Sequence, residues 1–163
     1  MSNYHYIVDG YNLLFKLPGK HQSLEIKRRS LLELLEKQIS EFNLSVTIVF
    51  DGAQRDPLMS IRGHFKSMEV VYTAANQTAD DYIFDSIAAN PRCHIVVTSD
   101  RDLATKCKAL GAQTLSIPDF LSSLVTKHHK RKARNAPFPA FQDSQADIDR
   151  LLKIFEKKLE EDA

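Results

Sequence analysis

Three short runs, IVDG at 7–10, VFDG at 49–52 and VTSD at 97–100, each place an aspartate where an apolar, β-rich segment stops. A fourth acidic group, in NQTADDYIFDSI at 76–87, puts Asp80, Asp81 and Asp85 within six positions. Carboxylates gathered without histidine or thiolate suit a hard cation, Mg2+ or Mn2+. An acidic cluster alone repels a phosphodiester; with such an ion bound it attracts one, and the ion lowers the pKa of a bound water and offsets charge on the leaving oxygen. The candidate metal ligands are Asp9, Asp51, Asp80 and Asp100, the last with Asp102 as a lesser rival. Asn12, three residues beyond Asp9, can orient water or phosphate, or serve only as a turn or cap residue.

Helix-start chemistry competes for these acids. Thr78 reads as an N-cap, with Asp81 at the third helical position as its capping-box partner. First-turn acids also gain about 0.3–1 kcal/mol each from the helix dipole. At 100° per residue Asp80 lies near the middle of the apolar stripe Ile83, Phe84, Ile87 and Ala88, while Asp81 lies at its margin and Asp85 outside it. Asp80 therefore points inward, where a bare carboxylate is costly. It is a candidate catalytic residue on its own account, and Asp81 stays open between cap and site. In TSDRDLA, Ser99 is the expected cap of the next helix and Asp102 its partner, which leaves Asp100 for the site.

The elements that must hold these residues alternate. Runs at 4–8, 45–50, 68–72, 93–99 and 112–116 read as strands, and 24–43, 79–90, 100–110 and 118–127 as helices. That order predicts a doubly wound α/β/α sandwich with a mainly parallel sheet. The unbroken apolar runs TIVF and HIVV fit strands covered on both faces. In such a sheet the strands' carboxyl ends share one edge, and ligands bind in the crevice there. Asp9, Asp51 and Asp100 become neighbours, with Gly10 and Gly52 letting the backbone turn sharply and approach a ligand. Residues 52–67, with Arg55, Arg62, His64 and Lys66, read as a long basic loop.

A main α/β domain at 1–127 and an appendage at 128–163 are expected. KHHKRKAR at 127–134 holds five Lys/Arg and two His, NAPFPAF at 135–141 is a Pro-containing connector, and 144–160 is an amphipathic helix striped by Ile148, Leu151, Leu152, Phe155 and Leu159. Net charge over 163 residues is only +1, so any nucleic-acid surface is local. The candidate RNA contacts are Lys127, Lys130, Arg131, Lys132 and Arg134 in the tail and Arg55, Arg62 and Lys66 in the loop. Tyr11 and Tyr82 lie near the acidic edge and could stack on bases, though core packing is the commoner use. No apolar run approaches the roughly 20 residues of a membrane span. Cys93 and Cys107, without export signal or CxxC spacing, read as buried thiols of a cytoplasmic protein.

YIVDGYNLL at 6–14, TADDYI at 78–83 and VVTSD at 96–100, in that order, resemble the NYN domain, a PIN-like nuclease fold, and within it the YacP-like bacterial branch. The resemblance runs from about residue 4 to 126. It implies an endoribonuclease that needs a divalent metal and leaves a 3′-hydroxyl and a 5′-phosphate. Asp9, Asn12, Asp80 and Asp100 match the family's motif positions, and Asp51 one less firmly tied to catalysis. It further implies RNA as partner, messenger or ribosomal, and a ribosomal setting for cleavage.

Two other function classes compete. A non-catalytic RNA- or ribosome-binding module on the same fold would keep the basic segments but has no use for so costly a set of acids. A phosphotransfer receiver or small-molecule phosphatase would also use acidic strand ends. Here Asp9 is followed by Gly-Tyr instead of a second acid, no lysine closes the fifth strand at Ser116-Ile117-Pro118, and no Gly-rich phosphate loop occurs.

Overall fold

The structure, a computed structural model, describes residues 4–19, 21–52, 61–124 and 144–162. The chain enters as β1 (His5–Asp9), turns at once into α1 (Gly10–Lys16), and continues through α2 (Leu24–Phe42) to β2 (Ser45–Phe50). β3 (Ile61–Phe65) and β4 (Met68–Tyr72) follow, then α3 (Ala79–Ile87), β5 (His94–Val97), α4 (Arg101–Leu110) and β6 (Gln113–Leu115). Helix α5 opens at residue 117 and is described as far as 124. Helix α6 (Ser144–Asp162) closes the chain.

Six strands form one sheet in the order β3-β4-β2-β1-β5-β6. All neighbours pair in parallel except β3 with β4. The chain winds from β1 outward through β2 to β4, then returns to the other side of β1 for β5 and β6. The reversal falls between β1 and β5, where an open parallel sheet leaves a crevice at its carboxyl ends.

Strand alternation assigns side chains to two cores. Val8, Ile48, Phe50 and Val70 face α1, α2, α5 and α6, meeting Leu13, Leu35, Ile39, Phe120 and Phe155. Ile7, Val49, Val71 and Val96 face α3 and α4, meeting Ile83, Ile87, Leu103 and Cys107. Of the expected α6 stripe, Leu151 and Phe155 are buried and Leu152 half-buried; the side chains of Ile148 and Leu159 lie outside the described residues.

Several expectations are corrected. Residues 61–65 form β3, an edge strand paired antiparallel to β4 from Ile61↔Tyr72 to Phe65↔Met68, instead of lying in a loop. Gly63 and the charged neighbours of this run conceal its β character. The helix α1 was not visible, because GYNLLFK is only two turns long and starts on glycine. Gly10 and Gly52 are not among the residues with positive φ. They are required by close packing. A Cβ on Gly10 would meet the Phe50 ring at 2.6 Å, and one on Gly52 would meet the Thr73 carbonyl oxygen at 1.8 Å. Cys93 lies on a 3-10 turn (Pro91–Cys93) before β5 and is exposed, whereas Cys107 is buried. Burial, with the charge of Asp80 adding, pushes the Cys107 thiol up to about 11, so it is an inert core group.

Candidate functional site

Each acid reaches the crevice through a different local device. Asp9 is the last residue of β1 and the N-cap of α1, accepting from the Asn12 N–H at 3.4 Å through Oδ1. Its other oxygen accepts from the Thr98 hydroxyl at 3.3 Å, just past the end of β5. The Thr98 hydroxyl oxygen in turn accepts from the Asp100 N–H at 3.1 Å. One threonine thus sits between the two strand-end aspartates on either side of the topological reversal.

Asp100 is itself the N-cap of α4. Its Oδ1 accepts from the N–H groups of Asp102 at 2.8 Å and Leu103 at 3.1 Å. The expected cap, Ser99, is displaced by one position. Its hydroxyl accepts from the Ile117 N–H at 3.3 Å and ties the start of α5 to this edge. Aspartate is as good an N-cap as serine, so composition alone does not choose between adjacent candidates. Asp102 is exposed in the first turn of α4.

Asn12 lies inside α1, where its carboxamide oxygen accepts from the Ser99 N–H at 2.7 Å. It clamps the β1–α1 junction to the β5–α4 junction. Thr78 caps α3, accepting from the Asp81 N–H at 3.1 Å, and Asp81 is exposed. Asp80, one position earlier, is half-buried. Asp85 is exposed and holds Gln77 at 3.4 Å.

The electrostatics join what hydrogen bonds do not. Burial pushes the Asp9 carboxyl up to about 6; the charges of Asp80 and Asp100 add to the rise, and the bonds from Asn12 and Thr98 oppose it. The Asp80 carboxyl is raised by burial and then by Asp100, Asp81 and Asp51, with Lys106 pulling the other way. Asp80 and Asp100 thus act on Asp9, and Asp100, Asp81 and Asp51 act on Asp80, charges drawn from the end of β1, the residue after β2, the start of α3 and the β5–α4 junction. Beside them, Asp80, Asp81, Phe84, Asp102, Leu103 and Lys106 line an open cleft of about 430 Å³ between α3 and α4.

The donor set is all oxygen, and raised carboxyls are those a cation would relieve. Yet among the described residues no three Asp, Glu, His or Cys groups stand close enough to chelate one ion. These residues fit a hard cation held by one or two carboxylates and water, as Mg2+ is commonly held, and do not form a closed protein cage.

The basic candidates do not gather here. Arg62, on β3, is bound to Glu69 at 2.9 Å. Lys66 sits at the β3–β4 turn with positive φ, its ammonium 5.8 Å from the Phe65 ring centre. That turn is at the opposite end of β4 from Tyr72, about 13 Å along the strand from the acidic edge. Arg62 and Lys66 thus form no single patch beside the acids. Arg55, Lys127, Lys130, Arg131, Lys132 and Arg134 lie outside the described residues. Sequence reasoning missed Thr98 and Lys106. Thr98 stood within VTSD but had no acidic label, and nothing in the spacing marked Lys106 as facing Asp80.

A family model described as YacP-like NYN domain matches residues 6–161, past the point where the sequence motifs end. Among solved structures, the fold is similar to the W164L mutant of Rae1 (YacP) from Bacillus subtilis, 22% identical, with a TM-score of 0.62 over 98% of this chain and 99% of that one. It is also similar to Rae1 (YacP) from Bacillus subtilis, 27% identical, with a TM-score of 0.60 over 94% of this chain and 92% of that one. No curated protein matches.

Proposed function

The chain belongs to the YacP-like NYN domain family, whose wider class consists generally of nucleases, and from that premise we propose that it is a divalent-metal-dependent endoribonuclease. The observation that carries this reading is the convergence of Asp9, Asp80 and Asp100 at the sheet's topological reversal, with Asp9 raised to about 6 by burial and by the charges of the other two. Helix capping accounts for one oxygen each of Asp9 and Asp100 but gives no reason for the half-buried Asp80 beside them.

One or two carboxylates from the set Asp9, Asp80, Asp100 and Asp51, with water completing the shell, would hold Mg2+ or Mn2+. When bound, the ion supplies Lewis acidity and neutralises charge at the scissile phosphate. The chain's own residues do the positioning. Thr98 fixes one oxygen of Asp9, and Asn12 holds the β5–α4 junction against α1. Asp100 spends Oδ1 on the helix cap, which fixes the orientation of the whole carboxylate. Asp9 must lose its proton to serve as ligand, so proton and cation compete at this carboxyl and lower pH raises the cation concentration that activity needs. Asp81, exposed beside Asp80, acts through its charge on that neighbour.

Hydrolysis would leave a 3′-hydroxyl and a 5′-phosphate, with messenger RNA on ribosomes as the setting and the basic segment at 127–134 as an RNA contact. Cytoplasmic placement belongs to the same reading; among the described residues no helix is long and apolar enough to cross a membrane. The test is cleavage of a defined RNA, free and ribosome-bound, by wild type and Asp80→Asn. The variant should fold and leave the RNA intact, and EDTA should stop the wild type. Full activity in either case would sink the proposal.

A further inference from the structure

Tyr11 and Phe15 stand one turn apart on α1, the helix that Asp9 caps. Their rings are stacked, with centroids 5.7 Å apart and planes 16° from parallel. The row continues inward. Tyr11 meets Phe50 edge-on at 5.2 Å, and Phe50 lies against Tyr72 at 5.5 Å. Arg28 of α2 bridges the two tyrosines: its Nη1 donates to the Tyr11 hydroxyl at 2.9 Å, and its guanidinium carbon is 5.6 Å from the Tyr72 ring centre. Phe50 is 0% exposed and Phe15 67%.

Core packing accounts for Phe50 and for the half-buried Tyr11 and Tyr72, which pack against the α1–α2 core. It does not account for Phe15. A single exposed apolar side chain is ordinary. This one is the outer member of a ring stack held by an arginine, on the helix that begins at the acidic edge. Six residues separate Asp9 from Phe15, about 9 Å along the helix axis. A flat group seated on Phe15 would therefore belong to a nucleotide close to the one at the acids.

We infer that Phe15, backed by Tyr11 and Arg28, is a stacking subsite for an unpaired base of single-stranded RNA entering the acidic edge. The inference rests on reading that edge as an RNA-cleaving site. Every base has a π-face, so aromatic stacking holds single strands without choosing sequence. A base paired in a duplex keeps its faces inside the stack, so this subsite selects unpaired RNA. Arg28 contributes positive charge beside the backbone and keeps the Tyr11 ring from turning away.

The chain contains no tryptophan, so Phe15→Trp introduces a single indole at the proposed contact. Its emission would be followed in EDTA while a short unstructured single-stranded RNA is added, with binding measured in parallel by anisotropy. Quenching that saturates together with binding is expected. The same strand carrying abasic sites, or paired into a duplex, should quench far less. Phe15→Ala, at an exposed position, should fold and bind the single strand about fivefold to a hundredfold more weakly. Equal quenching by the abasic strand, or unchanged affinity in Phe15→Ala, would overturn the subsite, and would assign Phe15 to a protein partner or to none. If wild type cleaves RNA while Phe15→Ala binds it normally, only the subsite fails. If base-dependent quenching is seen without cleavage in Mg2+ or Mn2+, the nuclease reading fails and the subsite stands. If wild type binds no RNA, both fail.

Discussion

Asn12 and Ser99 are 87 residues apart in the chain and are joined by a 2.7 Å bond from the Ser99 N–H to the Asn12 carboxamide oxygen. That bond sets the distance between the two halves of the acidic edge, because Asp9 precedes α1 and Asp100 follows Ser99. Asn12→Ala leaves the Ser99 N–H without this partner and should cost about 1–2 kcal/mol in a urea melt. RNA cleavage should fall further than the melt alone explains. Asn12→Asp keeps the acceptor oxygen and should recover most of the stability, while adding a charge to the edge. Equal stability in wild type and Asn12→Ala would show that the clamp does not hold the two junctions together.

The pH dependence of stability follows from Asp9. Its folded pKa, about 6, lies above the ordinary 3.8. Between those values the folded state keeps a proton that the unfolded state releases, so this group's contribution to stability falls as pH rises through the window. Above it the buried charge costs on the order of 2–3 kcal/mol. Asp9→Asn removes that cost. In EDTA the variant should be more stable than wild type at pH 7.5, and the gap should close toward pH 4. His5, whose pKa is lowered by burial and by His94, makes both proteins less stable as the pH falls below 6.5. The difference between the two melts, and not either melt alone, is therefore the measurement. A gap that does not change with pH would remove the electrostatic account of Asp9.

Saturating Mg2+ or Mn2+ should close that gap at pH 7.5. A ligand that binds only the folded state stabilises by RT ln(1 + [L]/Kd), about 2.7 kcal/mol at a hundredfold excess over Kd. Wild type should gain this shift, and Asp9→Asn and Asp80→Asn should gain little. Thermal melts with and without the ion decide it. An equal shift in all three proteins would place the ion elsewhere.

What could be read in advance divides by range. The parallel strands were legible because both their faces are buried and their apolar runs are unbroken, as in TIVF and HIVV. The acidic edge was legible because Asp9, Asp51 and Asp100 each stand where such a run ends. Edge strand β3 was not, since among the described residues only β4 pairs with it and Gly63 and charged residues interrupt it. Nor was the choice of Asp100 over Ser99 as cap, which depends on Ser99 being taken by Ile117 from a helix 18 residues later. Asn12 was visible as a residue but not as a clamp, because its partner comes from the far half of the chain.

Gly52 offers a sharper test of how the edge is built. Its N–H donates to the Thr73 hydroxyl at 3.1 Å, and the Thr73 N–H donates to the Phe50 carbonyl at 3.0 Å. A methyl at Gly52 would fall 1.8 Å from the Thr73 carbonyl oxygen, a backbone atom that cannot swing aside. Gly52→Ala should cost about 3 kcal/mol or more, above the usual range for overpacking, and should weaken cation binding by moving Asp51. Gly63→Ala, where nothing lies within 4 Å of the added carbon, should be neutral or slightly stabilising. Denaturant midpoints of the two variants make the comparison. Similar midpoints would mean that the β2–β4 junction yields easily.

The two basic segments should separate by salt. Arg62 is engaged with Glu69 at 2.9 Å, so its charge is offset before RNA arrives. Replacing it with alanine should change RNA affinity by less than about twofold, in line with the small worth of an exposed ion pair. Lys130, Arg131 and Lys132 have the charge density of a phosphate contact. Each phosphate neutralised on a single strand contributes about 0.7 to the slope of log affinity against log salt, so changing all three to alanine should flatten that slope by about 2. Affinity titrations at several salt concentrations give both numbers. If the Arg62 variant flattens the slope and the triple variant does not, RNA approaches over the β3–β4 hairpin and not along the tail.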